Sequence, residues 1–363
     1  MSNMIKNNSD NNIWIIPIEP IDQRYTKQWY ENIPLLLNEA SKKYNIITVD
    51  GTQRSPGTTA GAFLDFAVTN AYKSSQIEKV ACFFENGIIK AGDKFLVTDA
   101  WNYAVIAIRY MSELLNIPVE IHSIWHAGAY DPTDILGLKM SKPWPWHFER
   151  ACYYASDYNY YATNFHSNMF AQNLGIDFDT FIRKSIVSGQ PHNLSIPSLV
   201  KNSYNKKKDQ IVWPHRYNDD KQPRIAEDLA KSLDVVITQK MNLKKEDYYK
   251  LLGESKVTFS CSLHENLGIS MMEATLCGSI PVVPDRASYT EMYLDCFKYP
   301  SEWTSSVENY FNNLTNLLDF IEDRLYNYHN YVEKLEEQKN ILINKYMSAD
   351  VMINNIVNNG VSE

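Results

Sequence analysis

Short apolar runs and longer helical patterns alternate along almost the whole chain, and this restricts the fold more than any other feature. "IWIIPIEP" (13–20), "NIITVDG" (45–51), "KFLVTDAW" (94–101), "PVEIHSIWHAG" (118–128) and "YNYYATN" (158–164) read as strands. Between them, residues 26–44, 57–87, 102–116 and 147–157 carry helical patterns. Strands alternating with helices are the signature of βαβ units and a parallel sheet. A polar stretch holding the triplet Lys206, Lys207 and Lys208 then interrupts the pattern, and its charges read as solvated linker charge. The alternation restarts with "IVWPHR" (211–216) and continues through "KVTFSCS" (256–262) and "SIPVVPD" (279–285). The expected architecture is therefore α/β, with two Rossmann-like doubly wound domains facing across a cleft. The boundaries expected are a disordered lead-in at 1–12, a first domain at 13–195, a linker at 196–209 and a second domain at 210–335. A C-terminal helix at 336–363 is expected to pack back toward the first domain.

The 363 residues are enough for two such domains. With 44% hydrophobic and 21% charged residues, the chain can bury a real core. A net charge of −8 argues against a general nucleic-acid coating protein, whose affinity rests on excess Lys and Arg. It leaves room for a local basic cleft. The five cysteines are scattered, with no CxxC pair, and read as reduced thiols of a cytoplasmic protein. No run of about 18 apolar residues is present, so no membrane partner is expected. The polar N-terminus has no apolar signal core. A monomer is expected. The many Asn, Lys, Ile and Tyr residues suggest an AT-rich genome, such as that of a phage or a low-GC bacterium.

Ligands of open α/β sheets bind at the carboxyl ends of the strands, so chemistry belongs there. One such end reads "SLHENLGISMMEATLCGSIPVVP" (262–284). Glu265 follows a strand, Gly268 permits close backbone approach, and a helix then begins near Ile269. Its N-terminal N–H groups favour an anion or a polar sugar. Glu273, on the first turns of that helix, can accept two hydrogen bonds from a vicinal diol such as a ribose, or simply answer the helix dipole. In "WPHRYNDDKQP", Arg216 ends a strand and Lys221 follows in a loop. Arg grips phosphate oxygens bidentately and Lys adds a point charge, so the pair suits a diphosphate. The plainer alternative is a surface pair neutralised by Asp219 and Asp220.

These segments closely resemble the C-terminal half of retaining GT-B glycosyltransferases with the E-x7-E pattern. The "HR", the "HE" and the following "P-x-R-x-x-Y-x-E" look most like the enzymes that glycosylate queuosine in tRNA. The resemblance is specific over roughly 209–300 and weaker over 95–180. It implies that Arg216 and Lys221 hold the donor diphosphate and stabilise the leaving nucleotide. Glu265 would bind donor-sugar hydroxyls, the backbone around Asn266, Leu267 and Gly268 would touch phosphate and sugar, and Glu273 would bind ribose. His126 would sit near the reacting carbon or the acceptor hydroxyl. Arg216, Lys221, Glu265 and His126 thus form the expected catalytic set. No cofactor is implied beyond a nucleotide-sugar co-substrate, UDP-linked by expectation. No metal is implied, because Arg and Lys replace it. "HEN" stands where many relatives have E-G-F/H-G, which bears on donor identity.

In GT-B folds the loop after the first strand faces the cleft from the acceptor side. Here it interleaves Arg24, Tyr25 and Lys27 with Trp29 and Tyr30; Arg54 follows in a Gly/Ser/Thr loop, and Trp144 and Trp146 precede a helix. Cations with aromatic faces can hold a backbone and stack an extruded base; core aromatics on amphipathic helices are the plainer account. The first half also resembles glycosyltransferases of large tailed phages, some of which put sugar on 5-hydroxymethylpyrimidines such as 5-hydroxymethylcytosine in their own DNA, an anti-restriction device. The expected reaction is therefore transfer of a sugar to a hydroxymethylated base in DNA. A saccharide, a lipid carrier or a tRNA nucleoside is the alternative acceptor. A dead GT-B scaffold, a phosphorylase or an epimerase on the same fold fits the residues less well.

Overall fold

The structure, a computed structural model, describes residues 11–21, 24–52, 65–203 and 206–358. Arg54 and most of the expected lead-in lie outside them. In its described parts the chain forms two compact units, one from 1–162, 166–191 and 349–363, the other from 163–165 and 192–348. Among the described residues no helix is long and apolar enough to cross a membrane.

The first unit holds six parallel strands: β1 (Asn11–Ile16), β2 (Tyr44–Thr48), β3 (Lys94–Val97), β4 (Glu120–Ile124), β5 (Tyr158–Tyr161) and β6 (Ser185–Val187). Their order is β2-β1-β3-β4-β5-β6. Trp14 of β1 lies in register with Ile47 on one side and Phe95 on the other. Ile13, Trp14, Ile15 and Ile16 are all buried, because helices cover both faces of a parallel sheet. The second unit holds β7 (Lys208–Trp213), β8 (Val235–Ile237), β9 (Ser255–Phe259), β10 (Ile280–Pro284) and β11 (Lys298–Tyr299), ordered β11-β10-β9-β7-β8 and all parallel. In both sheets the second strand lies outside the first and the third returns to its other side. That reversal creates a switch point between β1 and β3, and another between β7 and β9, where the loops part and leave room for a ligand.

The periodicity reading omits β6 and β11. They span three and two residues, too few for a period-2 pattern to register. The stretch 196–209 holds the helix Ile196–Lys201 and the start of β7. Lys206 and Lys208 are exposed, as the solvated-charge reading expects, but Lys207 departs from it. Lys207 Nζ donates to the carbonyls of Gly253 (2.5 Å) and Cys277 (3.0 Å), at the C-terminal ends of helices Lys245–Glu254 and Ile269–Leu276. Helix ends leave carbonyls without intrahelical donors, and a cation there satisfies both the hydrogen bonds and the dipole. Burial pulls the Lys207 ammonium down to about 7.

The terminal helix Asp350–Asn358 belongs to the first unit through a buried polar network. Lys94 Nζ pairs with Glu120 (2.9 Å) and donates to the carbonyl of Ile356 (2.7 Å). Asn355 donates to the Tyr160 hydroxyl (2.6 Å). A charge removed from water this way requires both a counter-ion and hydrogen bonds, and Lys94 has both.

Candidate active site

The switch point of the second unit is built by the exits of β7 and β9. After β7 come His215, Arg216 and a 3-10 turn at Asp219–Lys221. Gln222, at φ 53°, ends that turn and donates to the carbonyls of Cys261 and Thr304, both at 2.6 Å, which fixes the loop against the β9 exit. This seats Lys221 under Glu265. Lys221 Nζ meets Glu265 Oε1 at 2.7 Å, Asp220 Oδ2 at 2.9 Å and the His264 carbonyl at 2.7 Å. An ammonium has three protons, so all three are committed. Burial alone would raise the Glu265 carboxyl, but the Lys221 ammonium holds it below the usual range. Burial alone would lower Lys221, but Glu265 and Asp220 carry it above the ordinary lysine value.

Ser262 and His215 also approach Oε1 of Glu265, at 3.3 and 3.7 Å, which leaves Oε2 for a ligand. Burial drives the His215 imidazole down to about 4, so it is neutral. Arg216 is exposed, with no ion-pair partner among the described residues.

The turn after Glu265 is held from several sides. Thr163 donates to the carbonyl of Asn266 (3.0 Å), and Leu267 is buried. Gly268 sits at φ 71°, and a Cβ there would lie 2.6 Å from the Tyr289 ring. No L side chain fits that position, and the chain can then enter helix Ile269–Leu276. The "P-x-R-x-x-Y-x-E" residues act as its scaffold. Arg286 donates to the Ser301 carbonyl (2.8 Å), and Glu291 accepts from Asn164 and the Phe165 N–H, both at 2.7 Å. One turn along the helix, the half-buried Glu273 accepts from the Tyr249 hydroxyl at 3.0 Å, and burial raises its carboxyl.

The first unit's switch point gathers a second polar group. His126 follows β4, and its Nε2 lies 2.7 Å from the Thr98 carbonyl. A carbonyl only accepts, so Nε2 carries the proton and Nδ1 accepts, here from the Tyr25 hydroxyl at 3.3 Å. Burial lowers the His126 imidazole, against the opposing pull of Asp99. Asp99 pairs with Lys73 at 2.7 Å, and Lys73 also donates to the Trp101 carbonyl at 2.6 Å. The ring of Trp29 lies 4.8 Å from His126 and 5.3 Å from Tyr25.

Of the residues expected on the acceptor side, Tyr25 therefore joins His126. Arg24 stands at the N-terminal cap of helix Tyr25–Ala40. Trp144 and Trp146, expected to precede a helix, instead form the first turn of helix Trp144–Ala155, and Trp144 is exposed beside Trp101. Two others are engaged locally. Lys27 pairs with Glu31 along its own helix (3.6 Å), and the Trp146 indole donates to the Ala129 carbonyl at 3.0 Å. Sequence reasoning left His215, Asp99 and Lys73 without a role and took Asp220 only as a neutralising surface charge. His215 and Asp220 stand in the "HR" and "DDK" that bracket the diphosphate pair, which was their only signal.

No known family model matches the chain. A tRNA-queuosine alpha-mannosyltransferase of Drosophila melanogaster is 25% identical over a stretch covering 42% of this chain and 42% of that protein. The match thus spans less than half of that relative. Among solved structures, the lipopolysaccharide outer core galactosyltransferase WaaB in its apo form superposes with a TM-score of 0.60 at 11% identity, over 96% of this chain and 99% of the other. The catalytic domain of starch synthase IV from Arabidopsis thaliana, bound to ADP and acarbose, gives 0.55 at 11%, over 96% and 98%. The chain has the two-domain, Rossmann-like GT-B fold of these glycosyltransferases.

Proposed function

We propose that the protein is a retaining glycosyltransferase that moves a sugar from a nucleotide-sugar, UDP-linked in this reading, to a hydroxyl of a modified nucleoside. The observation that carries the reading is the β7/β9 switch point, where an unpaired arginine lies in the sequence beside a buried lysine–glutamate pair and a glycine-opened helix start. Phosphate suits the arginine and the helix start, and sugar hydroxyls suit the free oxygen of Glu265. The Drosophila relative acts, by its name, on tRNA-queuosine, and the starch synthase domain holds ADP. A hydroxymethylated base in DNA presents the same acceptor group, a hydroxyl on a nucleoside.

In this reading Arg216 takes the donor diphosphate. Lys221 reaches it by exchanging Asp220 for a phosphate oxygen. The anomeric carbon–oxygen bond to phosphate breaks, the acceptor oxygen bonds to that carbon from the same face, and the leaving phosphate oxygen takes the acceptor's proton. Charge develops on the phosphate, where Arg216 and Lys221 stabilise it. No carboxylate serves as a nucleophile, unlike in a two-carboxylate glycosidase. The positive charge comes from side chains, so the scheme needs no metal. His126 has both ring nitrogens engaged and acts as an orienting group beside Tyr25. Arg24, Tyr25 and Trp144 are the acceptor-side residues retained; Lys27 and Trp146 contribute through the local bonds described above.

Glu273→Gln is expected to weaken nucleotide binding by about 1.5–3 kcal/mol, the worth of a hydrogen bond to a charged group, and to leave saturated turnover nearly unchanged. Donor titration calorimetry checks this, and an unaltered affinity removes the ribose assignment. The direct test of function is a radiolabel transfer screen pairing a panel of nucleotide-sugars with bulk tRNA, duplex DNA with and without 5-hydroxymethylpyrimidines, and oligosaccharides. Label on tRNA or on hydroxymethylated DNA supports the nucleoside acceptor and separates the two polymers. Label on oligosaccharides alone replaces it with a saccharide acceptor.

A further inference from the structure

Glu149 lies in helix Trp144–Ala155 and is fully buried in the first unit. Its Oε1 accepts from the Ala129 N–H and from the Trp101 indole, the latter at 2.8 Å. Trp101 lies in the β3 exit and Ala129 in the β4 exit, three residues after His126. One oxygen thus ties together the two strand exits at the edge of this unit's switch point. Gly128 makes the approach possible, because a Cβ there would collide with Glu149 Oε1 and with the Tyr130 ring. Oε2 is buried and accepts no hydrogen bond of good geometry among the described residues, although the Tyr130 N–H nearby favours the charged form. A buried carboxylate oxygen without a well-aligned donor is costly unless it carries a proton.

We propose that Glu149 is a positioning residue for the loop that carries His126: Oε1 clamps the two strand exits while Oε2 exchanges a proton with solvent, so the clamp tightens when the proton leaves. Burial raises this carboxyl to about 7, which puts the exchange in the physiological range. Among its charged neighbours, Lys142 pulls the other way. Asp99 is already neutralised by Lys73. On the same helix Cys152 is held protonated by burial, and the Tyr130 hydroxyl is likewise held neutral. Glu149 is therefore the group among these that changes charge near neutrality. A carboxylate accepts hydrogen bonds about twice as strongly as a neutral carboxyl, so deprotonation fixes Ala129 and the loop before it.

The proposal rests on the glycosyltransferase reading only for its effect on transfer; its first test does not need activity. The intact protein, labelled with 15N-tryptophan, shows the indole N–H groups of its eight tryptophans, and Trp101→Phe assigns the one bonded to Glu149. The Trp101 resonance is expected to shift with a midpoint near pH 7, to stop shifting in Glu149→Gln, and to keep shifting in His126→Gln. In the transfer assay, wild type is expected to gain about fivefold in rate as pH rises through that midpoint, the difference between a neutral and a charge-assisted hydrogen bond, and Glu149→Gln to lose this limb. A Trp101 resonance that does not titrate, or that still titrates in Glu149→Gln, overturns the proposal. A titrating resonance in a protein that transfers no sugar leaves the clamp standing and removes the glycosyltransferase reading.

Discussion

Lys221→Met is expected to destabilise the second unit by about 3–5 kcal/mol and to abolish measurable donor binding. The size follows from what is left behind. Glu265 is buried and has Lys221 as its nearest cation at 2.7 Å, with neutral His215 and Ser262 as its other neighbours. Removing the ammonium strands a carboxylate in a dry site, and the His264 carbonyl and Asp220 lose a donor as well. The pH dependence has a definite sign. The folded Glu265 carboxyl titrates below its unfolded value, so its stabilisation is present above the ordinary carboxylate range and is lost as pH falls through the lowered value. The folded Lys221 ammonium titrates above its unfolded value, so its share is present below the ordinary lysine range and is lost as pH rises through the raised one. Between those limits Lys221→Met should unfold at clearly lower denaturant. Below the carboxylate range the gap to wild type should narrow, because Glu265 is then neutral in both. Glu265→Gln in the Lys221→Met background should recover part of the loss, as a coupled pair requires. Equal unfolding midpoints at neutral pH would remove the ion pair from the site.

Much of this arrangement was legible in the chain. The alternation of "KVTFSCS" with helical stretches placed Glu265 at a strand exit, and Gly268 signalled a turn only glycine tolerates. Arg216 and Lys221 could be paired because a strand end and a following loop in one βα unit must open on the same edge of the sheet. What the sequence hid was connectivity between distant segments. Nothing near Lys207 announces that it closes two helix ends at Gly253 and Cys277, since those carbonyls lie 46 and 70 residues away. Asp220 read as a neutralising surface charge, yet it shares Lys221 with Glu265. Trp146 read as a stacking platform, but its indole donates to the Ala129 carbonyl and ties the start of helix Trp144–Ala155 to the β4 exit. Glu149 gave no signal at all, as a lone acid on an apolar helix face, because its partners come from two other strand exits.

Arg216→Ala should cost about 2–4 kcal/mol in transition-state stabilisation, the loss of one charged donor aimed at the leaving phosphate. That is roughly a 30- to 1,000-fold fall in kcat/KM. Fold stability should stay within about 0.5 kcal/mol of wild type, because the side chain is exposed and pairs with no acid among the described residues. This separates the two cations. Lys221 has every proton committed within the protein and can serve a phosphate only by releasing Asp220. Arg216 has no ion-pair partner among the described residues, so the first grip on the donor falls to it. Arg216→Lys should recover only part of the loss, since a single ammonium cannot match a bidentate guanidinium. Asp220→Asn should act in the opposite direction at the donor. It weakens the counter-ion that a phosphate must replace, so nucleotide affinity should rise while Arg216→Ala lowers it. If Arg216→Ala turns over at the wild-type rate, the diphosphate does not lie at the end of β7, and the placement of the donor at this switch point falls with it.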